Sequence, residues 1–447
     1  MLFSSYRRSS RWSRIAVYSL TFLLLLDIFR LFGSYRTFSN NLTAQTIQHV
    51  DDLPKELKKQ KIYIAAQFWT SEAVLVEFWL NQFLKLLPVL GPRNVYVSII
   101  ESGSLDNSAD AIRWLDNELV KLGVARTVIV DPSTHEDAVN AGPLDEHGHH
   151  KSGWIVTGDT EIEGQKELRR IPYLSDVRNK GLEPLLRMHR AQGQVFDKIL
   201  YLNDVFFEPS DILTLLATND GYYDVACGID FHYPPAFYDT FALRDAEGRG
   251  PVMSTFPYFR AQETRDAMLK GVPARVKSCW NGVLVVDAAP YYDRIRSNTA
   301  GSGHHLETGL QFRGVPDSLA LRKLEASECC LVHADLIASG HAQRGIFLNP
   351  AVRSGYTSEA YQLTHQGPGR SFVSAWQYLT GVWKNRFARW KVDGISSSAG
   401  QNMAEVYRRI AQWQQEVSPG EKRAEVGDYC TIMEMHILIW NGWKHVW

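Results

Sequence analysis

A carboxylate at the end of a buried apolar run is the first feature of this chain with the chemistry of a site. Residues 197–209 read DKILYLNDVFFEP, in which Ile199–Leu202 is a run of strand formers, broken by Asn203-Asp204 and resumed by Val205-Phe206-Phe207. Burying a carboxylate there is costly unless a cation or hydrogen-bond donors meet it. In open α/β sheets the carboxyl ends of strands are where ligands bind. Asp204 is therefore a candidate ligand for a divalent metal, with Asn203 shaping the site. An Asx turn between two strands would use the same residue types.

Other stretches offer partners for that acid. Glu101-Ser102-Gly103-Ser104, with Asp106, follows a second apolar strand. Strand, then Ser/Gly, then helix sets hydroxyls and backbone N–H groups at a ligand edge, and Glu101 can accept hydrogen bonds from a nucleoside. A helix N-cap at Ser104 or Asp106 is the plain alternative. Neither GxGxxG nor GxxxxGK[ST] occurs. In Asp176-Val177-Arg178-Asn179-Lys180, a helix would turn Arg178 and Asn179 toward a cleft, and a guanidinium fork suits phosphate. The competing reading is a surface pair between Asp176 and Lys180. His333 ends a short apolar run, Cys330–His333, expected as a strand, and is placed to complete a metal site with Asp204. A structural histidine is the alternative. His147, His149, His150, His304 and His305 sit in Gly-rich loops without the paired spacing of a zinc site. Trp280-Asn281 joins an indole to an amide, a pairing that suits a sugar face, and the loop Phe231–Phe241 offers a second aromatic wall. No GxSxG elbow is present.

The elements that must position these residues read as follows. With 447 residues, 45% apolar, and 13 Trp, 19 Tyr and 20 Phe, the chain can build a sizeable core. A net charge of −1 gives no reason to expect nucleic acid as a partner. Five cysteines are too few for a disulfide scaffold, and the odd number leaves one thiol free or paired between chains. Arg7, Arg8, Arg11 and Arg14 precede the apolar run Ile15–Leu26, which has 12 residues, or 18 counted through Phe32 with Asp27 and Arg30 near its far boundary. This reads as an uncleaved signal anchor, since no small-x-small cleavage site follows. Asn41-Leu42-Thr43 is a glycosylation sequon, expected to be exposed just beyond it. Thr37–Lys61 reads as a polar stem. From Ile62 onward, strand–helix–strand–helix–strand within about 70 residues predicts a parallel, doubly wound sheet. A helix is expected over Glu72–Leu87, ended by Pro88. Residues 133–170 read as an irregular excursion, and Tyr173–Arg190 as a helix kinked at Pro184. Beyond about residue 350 the chain reads as helical and Trp-rich.

Six segments occur together and in order: ESGSLD, LSDVRNKGLEPL, YLNDVFF, SCWNGVLVVDA, SECCLVHADL and IFLNPAVRSGY. The combination resembles the fungal capsule-associated mannosyltransferases, glycosyltransferase family 69, from about Ile62 to about Tyr356. The resemblance implies an α/β, GT-A-like nucleotide-diphospho-sugar transferase fold with a mostly parallel central sheet, an N-terminal membrane anchor and a helical C-terminal extension. It implies a GDP-mannose donor, retaining α-1,3 transfer to a glycan acceptor, and a type II protein of the Golgi or secretory-pathway membrane. Under it, Asp204 and His333 bind Mn²⁺ or Mg²⁺. Glu101, Ser102, Arg178, Asn179 and Asn203 border the donor, while Asp230, Asn281 and Glu328 are the polar groups near the sugar. Asn203-Asp204-Val205 carries one acid where the DxD element of such enzymes carries two. The expected organisation is a cytoplasmic tail (1–14), an anchor (15–32), a lumenal stem (33–60), a catalytic domain (61–350) and an extension (351–447). A non-catalytic Golgi protein assisting glycan assembly or export, and a sugar-phosphate transferase, are the alternative readings.

Overall fold

The computed structural model describes residues 3–158, 164–292, 309–366, 371–394, 398–417 and 423–446; His304 and His305 fall outside them. In chain order the helices are α1 (Phe3–Gln45), α2 (Glu72–Val74), α3 (Leu80–Leu90), α4 (Ser108–Lys121), α5 (His135–Asn140), α6 (Arg170–Gln192), α7 (Pro209–Leu216), α8 (Gln262–Lys270), α9 (Ala289–Tyr292), α10 (Asp317–Ala320), α11 (Glu328–Ala338), α12 (Ser358–Thr364), α13 (Ala375–Gly394) and α14 (Ser398–Gln415). The strands are β1 (Ile62–Phe68), β2 (Val95–Ser102), β3 (Ala125–Asp131), β4 (Trp154–Val156), β5 (Lys166–Leu168), β6 (Lys198–Leu202), β7 (Val225–Tyr233), β8 (Ala236–Phe237), β9 (Arg244–Asp245), β10 (Ala274–Ser278), β11 (Val283–Asp287), β12 (Glu325–Ala326), β13 (Ile346–Gly355), β14 (Thr431–Ile432), β15 (Met435–Ile439) and β16 (Gly442–Val446).

One sheet dominates, in the order β3-β2-β1-β6-β11-β7-β13-β10-β9. β3, β2, β1 and β6 are mutually parallel, and β7 and β13 are parallel to each other. β11 is inserted antiparallel between β6 and β7, so those six strands point the same way. The chain is thus α/β with a mostly parallel sheet and a reversed strand at its centre. Side chains of β1 alternate between the two cores: Tyr63 and Ala65 face one, Ile62, Ile64, Ala66 and Phe68 the other. β6 does the same, with Ile199 and Tyr201 opposite Leu200 and Leu202. Both faces are covered, which is why these strands read as continuous apolar runs.

Several expectations change. Pro88 does not end its helix: α3 continues to Leu90 and stops at Gly91, whose φ of +86° favours glycine. Residues 133–170 include α5 and the β4–β5 hairpin. α6 runs on through Pro184. Cys330–His333 lies in helix α11, not in a strand. Ser327 Oγ accepts from Cys329 N–H at 3.2 Å, and nearly every side chain from Glu328 to Leu336 is buried, so no polar stripe betrays the helical period. The boundary expected at residue 350 falls inside β13, a strand of the main sheet; the register shifts between Leu348 and Arg353, and Pro350 lies within that irregularity. The C-terminal part adds α12, α13 and α14 but ends in the β15–β16 hairpin.

The stem is not a stem. α1 continues from the apolar run into the body, where Phe38 and Leu42 join the main core. Asn41 Nδ2, expected to carry a glycan, instead donates to the Lys270 carbonyl at 2.8 Å on a packed helix. The cysteines form Cys227–Cys279 and Cys330–Cys430, leaving Cys329 as a buried thiol.

Candidate active site

The carboxyl ends of β1, β2, β6 and β7 form one edge of the sheet, and the reversed β11 begins there. Asn203 and Asp204 follow β6. Asn203 N–H donates to the Gly282 carbonyl at 3.0 Å, and its own carbonyl accepts from the Trp79 indole at 2.9 Å. Gly282 is required: its φ is +79°, and a Cβ there would lie 2.8 Å from Ser354 Oγ and 2.9 Å from Val205 Cγ1. Asp204 Oδ2 accepts from Ser71 Oγ at 2.8 Å, and the carboxylate has no ion pair among the described residues. Burial raises its pKa against the pull of that hydroxyl and of Arg178.

Asp230, on β7, is fully buried. Its Oδ1 accepts from Asn281 Nδ2 at 2.7 Å and from Asp239 N–H at 3.2 Å, while Oδ2 has no partner. Burial first, then the neighbouring Asp239 carboxylate, push Asp230 up to about 7. The disulfide Cys227–Cys279 ties together the segments that carry Asp230 and Asn281. Asn281 itself sits at φ +51° with a buried, unpartnered Oδ1. Tyr356, which ends β13's motif, lies in the field of Asp230, Asp239 and Asp204, so the three acids share one neighbourhood. Its ring packs on Tyr238 at 4.6 Å.

Two arginines of α6, Arg170 and Arg178, flank Glu328. Arg178 Nε donates to Glu328 at 3.0 Å, and its guanidinium covers the Trp280 ring at 4.4 Å. The ring expected to face a sugar is therefore buried beneath Arg178. The surface pair between Asp176 and Lys180 does not form; Lys180 lies 3.8 Å from Asp131. Despite burial, Arg178 and Arg170 hold Glu328 below the usual carboxylate range. Arg170 stacks over Trp443 of the C-terminal hairpin at 3.7 Å.

On the neighbouring strand, Glu101 is buried and accepts from Ser104 N–H at 2.8 Å, closing its own turn. Ser102 Oγ meets Tyr173 OH at 3.1 Å. Trp69 stacks on His135 at 4.2 Å, with Tyr173 edge-on to His135. Gln67 Oε1 and Trp69 Nε1 are buried without partners.

Asp204, Asn203, Asp230 and Asn281 thus lie along one sheet edge, the Arg178–Glu328 pair acts on Asp204 and Asp239 through its field, and Glu101 and Ser102 end β2, two strands from β6. Asn179 does not join them through its amide, which clamps Phe312, donating to its carbonyl and accepting its N–H, both at 2.9 Å. His333 is buried on α11 with Nδ1 unpartnered, and burial lowers it to about 3; among the described residues no hydrogen bond or ion pair links it to Asp204. Among the described residues, the His/Cys/Asp/Glu ligand atoms that gather within 4.8 Å belong to Glu434, His436 and His445 on the C-terminal hairpin. Sequence reasoning missed Ser71, Asp239, Arg170 and the Trp69–His135–Tyr173 stack, none of which carries a local pattern. Tyr356 had a signal, as the last residue of IFLNPAVRSGY.

A family model described as Cryptococcal mannosyltransferase 1 matches residues 61–335. The alpha-1,3-mannosyltransferase CMT1 of Cryptococcus neoformans is 24% identical over 299 residues, covering 62% of this chain and 54% of that protein. The match therefore spans about half the length of that relative. Among solved structures, Staphylococcus aureus TarS 1–349 aligns over 79% of this chain and 80% of its own at 13% identity, with a TM-score of 0.35. The mannosyltransferase PcManGT from Pyrobaculum calidifontis, in complex with GDP-Man and Mn²⁺, aligns over 87% and 92% at 10% identity, with a TM-score of 0.31.

Proposed function

This chain belongs to the cryptococcal mannosyltransferase 1 family, and from that premise we propose that it is a glycosyltransferase moving mannose from GDP-mannose to a mannoside or glycan acceptor, with a retained α-1,3 linkage, on the lumenal side of a Golgi or secretory-pathway membrane. The observation that carries this reading is the set of unsatisfied polar atoms at one sheet edge: Gln67 Oε1, Trp69 Nε1, Asp230 Oδ2 and Asn281 Oδ1. Buried polar groups are ordinarily paired, so four orphans along one edge mark where a polar ligand belongs.

The Asp204 carboxylate, bonded by one hydroxyl and free of ion pairs among the described residues, fits a hard, oxygen-preferring ion such as Mn²⁺ or Mg²⁺. Such an ion supplies charge neutralisation at a diphosphate leaving group. Arg170 adds a cation on the same side. Arg178 acts through Glu328 and Trp280, so it fixes the site's floor and contributes field rather than a free fork. The Trp69–His135–Tyr173 stack beside Glu101 and Ser102 suits a nucleoside. Asp230 and Asp239, both pushed up by burial, form a carboxyl pair able to hold or move a proton near neutral pH.

Incubating the purified chain with a panel of nucleotide sugars and a mannoside acceptor, with and without EDTA, tests the reading. Mannose transfer from GDP-mannose, lost in EDTA and restored by Mn²⁺, is expected. Transfer from another donor alone would overturn the donor, and full activity in EDTA would overturn the metal.

A further inference from the structure

Helix α13 has two faces of opposite use. Tyr378, Val382 and Asn385 point inward: Tyr378 OH donates to the Leu269 carbonyl at 2.9 Å, and Asn385 Nδ2 to the Phe259 carbonyl at 3.1 Å. Gly381 lets the helix backbone approach the body, for a Cβ there would meet the Phe256 carbonyl at 2.3 Å. On the outer face, Trp383 is 40% exposed, Phe387 63% and Trp390 65%. Spacings of four and three residues put all three rings on one stripe. Lys384, Arg386, Arg389 and Lys391 are interleaved, and no acidic residue occurs between Ala375 and Lys391.

The neighbour of this stripe is α1. Tyr35 packs edge-on against Tyr378 at 5.6 Å, while Asp27 and Arg386 form an ion pair at 2.6 Å. Both contacts are eight residues apart on each helix (35 − 27 and 386 − 378), so the two helices run antiparallel, side by side. Counting outward from the Asp27–Arg386 pair, Trp383 stands beside about residue 30 of α1 and Trp390 beside about residue 23, at ~1.5 Å per residue. That is the level where the apolar run ends. Residues 13–26 are exposed throughout, and Leu31 is the first buried residue beyond them. The apolar run Ile15–Leu26 is only 12 residues long, about 18 Å as helix against a hydrocarbon core of ~30 Å. Something must meet the lipid around Asp27 and Arg30, where α1 alone is polar.

We propose that the outer face of α13 from Trp383 to Trp390 spans the boundary between headgroups and hydrocarbon of the bilayer that α1 enters, so that two antiparallel helices seat the body directly on the membrane. This rests on the anchor reading of α1. Indole rings with interleaved Lys and Arg are the chemistry of that boundary: rings on its apolar side, cations reaching the phosphates. The ion pair to Asp27 holds the arrangement together where an isolated acid at that boundary would be costly.

Single nitroxide labels on the full chain in phosphatidylcholine vesicles test this, at Leu24→Cys, Trp376→Cys, Phe387→Cys and Trp390→Cys. All four positions are exposed, so folding is kept, and Cys329 is buried. Accessibility to oxygen relative to a water-soluble nickel complex reports depth. The expected result is a lipid-like ratio at Leu24, an interfacial ratio at Phe387, a ratio at Trp390 approaching that of Leu24, with which it is level, and an aqueous ratio at Trp376, which lies further out by the same count. An aqueous ratio at Phe387 and Trp390 with Leu24 in lipid would overturn the seating and leave the anchor standing. An aqueous Leu24 would overturn both. Spin–spin broadening between labels at Trp390 would show a second copy of the chain on this face, and overturn the lipid assignment.

Discussion

Two clusters of buried charge meet at consecutive residues of the chain, Arg169 and Arg170, and they are built differently. Arg169 is completely buried and fully partnered: Nε and Nη2 donate to the two oxygens of Glu325 at 3.0 and 2.7 Å, and Nη1 to Asp317 at 2.7 Å and to the Val315 carbonyl. Arg313 repeats the scheme, forked onto both Asp335 and Glu425. These groups knit α6 to the 313–335 segment, and Glu425 adds the C-terminal part to it. One residue on, Arg170 rests on an indole and faces Arg178 and Glu328, in a region where Asp204, Asp230 and Asp239 are all raised by burial and two carboxyl or amide oxygens lack partners. The same residue types are satisfied in one cluster and left poised in the other. Completeness of pairing, not burial or charge count, separates a fastening from a site.

That distinction can be broken most sharply at Asp204. Asp204→Asn keeps shape and removes charge. Transfer should fall roughly 10²–10⁴-fold, corresponding to several kcal/mol of lost leaving-group stabilisation, while the melting temperature holds or rises. Steady-state rates over a Mn²⁺ series, paired with calorimetry, measure both; an inactive variant that also melts much lower would place Asp204 among the fastenings.

The arginine neighbours come next. Arg169→Met leaves Glu325 and Asp317 without their cation and should cost about 3–5 kcal/mol of stability. Arg170→Met should leave the melting temperature nearly unchanged and raise KM for the donor about tenfold or more. Denaturant titration and donor kinetics on both variants decide the matter, and equal stability losses would erase the contrast.

The effect that depends on pH concerns Asp230. Its folded pKa, raised by burial to about 7, exceeds the ordinary carboxylate value, so the folded state binds the proton more tightly than the unfolded one. The resulting penalty is absent below about pH 4, grows as pH rises through 7, and is complete above it. Asp230→Asn should therefore melt like the parent at pH 4 and higher than it at pH 8, by ~1–4 kcal/mol once the altered hydrogen bonding is set against the full linkage, with reduced transfer at both. A melting difference that shrinks as pH rises would reverse the assignment.

The sheet was legible because its central strands are buried on both faces, so runs such as Ile199–Leu202 stood out without alternation. Asp204 and Asn281 could be placed at the sheet edge because they flank the ends of apolar strands, whereas Asp230, expected just after a strand, lies within β7. What failed had physical causes. The α11 helix is buried nearly all round, so Cys330–His333 carried no helical period and was taken for a strand. Asn41 lies not on a polar stem but on a helix packed against the body, where its half-exposed amide meets the Lys270 carbonyl. Asp239 and Arg170 reach the site from a loop and a helix start with no local mark, and only the folded chain brings them to Asp230 and Glu328.

The bond between Cys330 and Cys430 closes a span of 100 residues, and its second half brings a brace with it. Tyr429 and Cys430 offer their carbonyls to Arg244, Ile437 bridges to Arg169, and Trp443 underlies Arg170. During synthesis, at about 5–20 residues per second, every segment matched by the family model, residues 61–335, emerges well before that brace. A nascent or prematurely terminated chain would thus display the whole family signature and still lack the floor beneath Arg170. Closing that bond joins the late cysteine to the early one and fixes the brace beneath Arg170 only after the rest of the site has been made.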